Sequence, residues 1–239
     1  MTTDMSWEQI VIKKHNLKNH PKVTEKEIRT CLVKHLATKF GAKRPILASE
    51  ARYGMEQRRA DIVMVDTHTH AFEIKSDFDT IQRLEGQLAE YVQTFDYVTV
   101  VTAPTHLDKV RAKIPERVGL LCCAEGHLRT VKKPRLNKGL SKYDLASSIS
   151  RATLLDAIPG LRRSASVEDA REFAVKRLSS RKLRDLFLVE LDNRFSKSSR
   201  RFFLETDTEI DVEDLFLLRR VERLFLKTDG PEGDKTNAP

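Results

Sequence analysis

Cysteine is scarce in this chain. Cys31, Cys122 and Cys123 are an odd number without a C-x-x-C pair, which argues against a disulfide framework or a thiolate zinc site and suits a reducing cytoplasm. Each sits among apolar neighbours, where a small buried hydrophobe is the expected role. Glycine is scarce too: there are nine in 239 residues, none grouped into a phosphate-cradling loop, so a nucleotide cofactor is not expected. No apolar run approaches the roughly 18 residues of a membrane span. The opening residues, MTTDMSWEQIVIKKH, lack the basic-then-apolar layout of a secretory signal. The expectation is a soluble, cytoplasmic protein without a membrane partner. Histidines offer little chemistry. His68 and His70 alternate with threonines in a turn, with no further ligand at zinc spacing, and no Ser or Cys stands ready for a nucleophilic triad.

Charge is abundant. Lys and Arg number 43 against 35 Asp and Glu, a net charge of +8, which favours a polyanionic partner and nucleic acid first. At 40% hydrophobic residues, the chain can bury one sizeable core, or a core and a smaller unit.

Periodicity then orders the elements. After an N-terminal extension (1–21), a helix is expected over 24–40, because Ile28, Cys31, Leu32, His35, Leu36 and Phe40 recur at helical spacing and Gly41 follows as a stop. Thr24 and Glu27 fit a capping box. A strand is expected over 45–53 and a turn over 54–58. The stretch 59–75, RADIVMVDTHTHAFEIK, reads as two strands around a tight polar connection. Asp77 or Asp79 is placed to cap a helix reaching about 92, with Ile81, Leu84, Leu88, Tyr91 and Val92 as its inner stripe. A β-branched strand (97–103), a helix opened by Pro104, a buried strand (118–124) and an edge strand (126–132) complete an α/β unit over 22–132. It is a mixed sheet flanked by helices.

Past residue 132 the composition turns basic, and helices are expected over 143–158, 167–178, 181–195 and 211–227. That gives an all-α accessory region (133–227) and a disordered tail (228–239). Arg162, Arg163, Arg171, Lys176, Arg177, Arg181, Lys182, Arg184, Arg200 and Arg201 read either as a phosphate-contacting surface or as solvated helix faces, since acids interleave with them.

The chemistry concentrates in the central strands. Asp61, Glu73 and Lys75 stand as D-x11-E-x-K: one acid opens the first strand, and the second acid shares a face with the lysine on the next. Two acids beside a lysine on a buried sheet are costly unless something binds them, and a divalent cation would relieve the repulsion. For Asp61 to share their side, the paired positions must sum to an even number, which requires an odd-length loop near 67–69 or a bulge. The plainer alternative is a cross-strand charge cluster on an exposed face.

Arg59, Asp61, Glu73, Ile74, Lys75, Ser76, Asp77, Asp79, Arg83, Leu84 and Gln87 together resemble the PD-(D/E)XK nuclease superfamily, over roughly 22–130. Ala60 stands where the superfamily's name has proline. The resemblance implies a restriction-endonuclease-like fold and a nuclease that hydrolyses phosphodiester bonds, in DNA more than RNA, in a repair or phage-related defence setting. It implies Mg2+ or Mn2+ bound by Asp61, Glu73 and the Ile74 carbonyl, with Lys75 orienting water or offsetting charge. Glu50 is a further candidate ligand, and Gln87 is expected against Lys75 or a phosphate. Glu27 stands where relatives bring a first-helix acid to the metals, and the capping box explains it equally well. The rival reading is a non-catalytic nucleic-acid-binding or assembly module on the same fold.

Overall fold

The computed structural model describes residues 21–39, 44–55, 58–206 and 209–219. The expectations for 1–20 and for the chain beyond 219 lie outside these residues. Helix α1 (Glu25–Lys39) begins at the Thr24–Glu27 capping box, in which each residue's side chain meets the other's backbone N–H. Strands β1 (Ile46–Tyr53), β2 (Arg58–Val65) and β3 (Thr69–Lys75) form an antiparallel meander. Helix α2 (Leu84–Thr94) and α3 (Leu107–Lys113, entered through a 3-10 turn at Pro104–His106) then carry the chain to β4 (Tyr97–Thr102) and β5 (Gly119–Ala124), both parallel to β3. Antiparallel β6 (His127–Lys132) closes the edge. The six strands lie side by side in sequence order, so the sheet is mixed.

Alternation along the strands builds a core on each face. Val63, Ala71, Val98 and Val100 pack toward α2, whereas Ile62, Phe72, Ile74 and Val101 pack toward Ile28, Leu32 and Leu36 of α1. Strand β4 is buried from Val98 onward because both faces are covered, which explains its unbroken β-branched run.

The C-terminal helices α4 (Lys142–Ser147), α5 (Arg151–Ala157), α6 (Val167–Arg177) and α7 (Ser180–Glu205) add Leu145, Leu154, Ala174, Phe187 and Phe195 to the α2-side core. Near its end α7 reaches the other face, where Phe202, Leu215 and Leu218 join the core of α1. A buried ion pair fastens α7 to the sheet. Arg184 Nε donates to Asp96 at 2.6 Å and its Nη2 to the Thr67 carbonyl at 2.8 Å, while Asp96 also accepts the Thr69 N–H.

Four expected elements change shape. Asp77 and Asp79 cap no helix, because their carboxylates are engaged in the loop before α2: Asp77 accepts the Val23 N–H at 2.7 Å and Asp79 the Ser76 N–H at 2.8 Å. The helix expected over 143–158 divides in two, since Ser150 caps a second helix by accepting the Thr153 N–H. The helix expected to end at 195 runs to Glu205; no glycine or proline stops it. Of the helix expected over 211–227, the described part is a 3-10 turn, Asp214–Leu218, pinned by buried Leu215 and Leu218.

Candidate active site

The geometry of the site follows from one register. Strands β2 and β3 pair as Ile62 with Phe72 and Val65 with Thr69, around the three-residue connection Asp66–His68. These positions sum to an even number, so Asp61 falls opposite Glu73. Pairing stops there. The Asp61 carboxylate accepts the Ile74 N–H at 2.7 Å, in the place of a main-chain partner. Of Ile74, it is therefore the N–H that meets a site acid.

Glu73 and Lys75 point to the α2 side. Lys75 Nζ donates to Glu73 at 2.7 Å and to the Gln87 carbonyl oxygen at 3.0 Å. The Tyr91 hydroxyl donates to the second oxygen of Glu73 at 2.7 Å. Both charged residues are buried, at 2% and 8% exposure, and a buried ion pair survives only when further hydrogen bonds complete it. Here Gln87 and Tyr91 supply them. Their spacing, 84–87–88–91, is the inner stripe of α2. The same stripe burial, with the nearby Glu73, raises the Tyr91 phenol well above its ordinary pKa.

On the α1 side a second group of acids meets Asp61. One carboxylate oxygen each from Glu25, Glu50 and Asp61 lies within 4.8 Å of the others. Arg29 enters the group: its Nη2 pairs with Glu25, with Glu50 at 2.8 Å and with Asp61 at 3.7 Å, and its Nη1 donates to Ser49 at 3.1 Å. Asp61 thus stands between the two groups. Burial, then the charge of Glu73, raises its pKa to about 7, against the Ile74 N–H and Arg29, which pull it down.

Glu50 reaches this group through an unusual backbone. Its φ is +55°, the left-handed region that bulky side chains avoid. Ala48 and Ala51, three residues apart, both face the α2-side core, as do Ala60 and Val63 opposite, so the alternation changes phase at Glu50 and Asp61.

Glu27 belongs elsewhere. It is exposed, accepts the Thr24 N–H and hydroxyl at 2.7 Å each, and these bonds lower its pKa. The first-helix acid at the site is Glu25. Glu25 and Arg29 escaped the sequence reading although both lie on the α1 face that carries Ile28, Leu32 and Leu36, and the i, i+4 spacing of an acid and a base was visible. Tyr91 was legible only as core. His70, expected in a turn, lies in β3 with Nε2 2.8 Å from the Thr99 hydroxyl. Several of the C-terminal basic residues are engaged within the molecule: Arg184 with Asp96, Arg171 with the Ser147 carbonyl, Lys176 with Glu172 and Arg201 with Glu205.

No helix among the described residues is long and apolar enough to cross a membrane. Residues 18–219 match a family model described as bacteriophage P4 protein cII. Protein cII of Enterobacteria phage P4 is 28% identical over 208 residues, which cover 83% of this chain and 79% of that protein. Among solved structures, a protein of unknown function from Silicibacter pomeroyi aligns with a TM-score of 0.37 and 12% identity, over 70% of this chain and 92% of that one.

Proposed function

The chain belongs to the family of bacteriophage P4 protein cII, and for this member we propose a metal-dependent nuclease that hydrolyses phosphodiester bonds, in DNA before RNA, through Asp61, Glu73 and Lys75. The fold proposed with it is the restriction-endonuclease-like one. The observation that carries the reading is the convergence of these three residues, with Gln87, where β2 and β3 part. Glu73 and Lys75 are buried too deeply for an exposed charge cluster, and Asp61 is partly covered. A covered acid with a raised pKa, as Asp61 has, is more frequent at functional sites than elsewhere.

The donor set fits Mg2+ or Mn2+. Glu25, Glu50 and Asp61 offer hard oxygen ligands, and three carboxylates against the guanidiniums of Arg29 and, 3.4 Å from Glu50, Arg59 leave one negative charge uncompensated. Burial first, then the charge of Glu73, with Glu25 adding least, raises the pKa of Asp61. Asp61 would hold the ion with Glu25 and Glu50, while Glu73 is held on the α2 side by Lys75 and Tyr91. When bound, the ion supplies a water of lowered pKa and offsets charge on the scissile phosphate.

The rest falls to side chains. An ammonium carries three donors, and Lys75 uses two on Glu73 and Gln87, which fixes the direction of the third. That N–H can orient a water or hold a phosphate oxygen as negative charge develops. Tyr91 holds the Glu73 carboxylate so that Lys75 stays aimed.

One observation favours the rival, a binding or assembly module without catalysis: Arg29 already serves the acids as counter-charge. The two readings separate on the purified protein, incubated with Mg2+ or Mn2+ and with single-stranded, double-stranded and branched DNA. Cleavage is expected in the wild type and reduced about 100-fold or more in Asp61→Ala and Lys75→Ala, with DNA binding retained. Salt-sensitive binding without cleavage by any of the three would leave the module.

A further inference from the structure

A cavity of about 300 Å³ opens beside the carboxylates. Glu25 and Arg29 of α1 and Glu50 of β1 form one wall, and the 3-10 turn at Asp214–Leu218 forms the other, with Phe216 and Arg219. Leu215 and Leu218, at 6% and 0% exposure, root that turn in the core. Phe216 does the opposite. It is 59% exposed, and the Arg219 guanidinium lies 4.9 Å from its ring centroid. Lys26 adds a second cation to the rim.

We propose that this cleft receives one unstacked nucleotide of a single strand, its base on the Phe216 ring and its phosphates against Arg219 and Lys26, so that the substrate is single-stranded or unpaired nucleic acid rather than continuous duplex. The inference rests on the nuclease reading for the cleavage it would direct, but its binding chemistry stands on the cleft alone.

Single strands are held without sequence preference by aromatic faces next to cations, since every base has a π-face and every nucleotide a phosphate. An exposed ring with an arginine over it is that unit, and here it shares a cleft with Glu25 and Glu50, two of the three proposed metal ligands. The cavity is at the small end of the ~300–1,000 Å³ range of ligand pockets. Both faces of a base within a duplex are covered by its neighbours, so it would have to leave its stack to lie on the Phe216 ring. Glu25 and Glu50 in the facing wall repel phosphate, which restricts the backbone to the cationic rim. A second exposed aromatic with a cation, Phe78 with Lys22 at 5.3 Å, lies in the loop that Asp77 ties to Val23 just before α1. Phe78 thus adjoins the residues that lead into α1, and Phe216 shares a cleft with Glu25 and Lys26 of its first turn.

The test is fluorescence anisotropy with the full chain, in chelator and low salt, using an end-labelled thymidine oligomer of about 15 nucleotides and a duplex of equal length. The single strand is expected to bind more tightly than the duplex. Phe216→Ala is expected to weaken the single strand about ten-fold, leave the duplex unchanged and melt like the wild type, with Phe216→Trp restoring affinity. Equal or tighter binding of duplex, or an unchanged single-strand affinity in Phe216→Ala, overturns the inference. Cleavage is scored separately with Mn2+ and Lys75→Ala. If no protein cleaves while the Phe216 dependence holds, the nuclease reading fails and the stacking cleft stands; cleavage indifferent to Phe216 is the converse.

Discussion

The Tyr91 hydroxyl and the Glu73 carboxylate meet at 2.7 Å, on the oxygen of Glu73 that Lys75 does not take. In the proposed nuclease Tyr91 would act through Glu73, as a positioning residue. A hydrogen bond to a buried charge contributes about 1.5–3 kcal/mol. Tyr91→Phe keeps the ring in the core and removes only the hydroxyl. It is expected to lower stability by about 1–2 kcal/mol and cleavage about ten-fold, with more Mn2+ needed for half-maximal rate. Urea unfolding and a metal titration of the rate check this; a loss of stability with an unchanged metal requirement would reduce Tyr91 to a packing role.

Glu25 and Glu27 are two residues apart on one helix, about 200° around it, and the structure gives them unlike tasks. Glu27→Ala removes half of the capping box and is expected to cost about 0.5 kcal/mol without touching cleavage. Glu25→Gln removes an acid beside Asp61 and is expected to raise the metal requirement with little change in melting temperature. A chelator-controlled metal titration of both variants, beside their melting curves, distinguishes them. The reverse pattern would return Glu27 to the site.

That pair also marks where sequence legibility ended. The element order and the D-x11-E-x-K residues could be read because strand alternation and helix stripes are local properties. The parity condition on the β2–β3 connection could be stated in advance, since an antiparallel register follows from loop length. The rotation of α1 against the sheet has no local signature. Thr24-x-x-Glu27 is a strong pattern that drew the helix acid to the wrong residue, while Glu25 and Arg29 depend on what α1 packs over. Likewise Asp77 and Asp79 resemble helix caps until the N–H groups of Val23 and Ser76 claim them.

His70 makes the fold acid-sensitive. It stacks on Phe72 at 4.0 Å between ring centroids, and this covered setting, with Lys39, lowers its pKa to about 3. A base whose folded pKa is depressed contributes stability above its unfolded value of about 6.5 and loses it as pH falls from there toward 3. The side chain is only partly covered, so the loss between pH 7 and pH 5 is expected to be about 1–2 kcal/mol. His70→Gln can still bond Thr99 and cannot charge. Its unfolding free energy should fall less than that of the wild type across this interval; parallel slopes would show that His70 titrates normally in the fold.

Glu50 keeps a side chain where the backbone favours glycine. The left-handed conformation costs a non-glycine residue about 1–2 kcal/mol, and the carboxylate it delivers adds repulsion to Glu25 and Asp61. Its ion pairs with Arg29 and with the exposed Arg59 return part of this, yet Arg29 keeps Glu25 and Ser49 without it and a pair to an exposed arginine contributes little. Glu50→Gly is therefore expected to raise stability by about 0.5–1 kcal/mol in metal-free buffer. The same variant is expected to bind Mn2+ more weakly and to cleave more slowly at limiting metal. Strain retained at one residue, relieved at a cost in metal binding, is what a functional site produces and a purely structural strand does not. Calorimetry with and without Mn2+ decides it. A variant both less stable and unchanged toward metal would make Glu50 a structural partner of Arg29 and remove it from the ligand set.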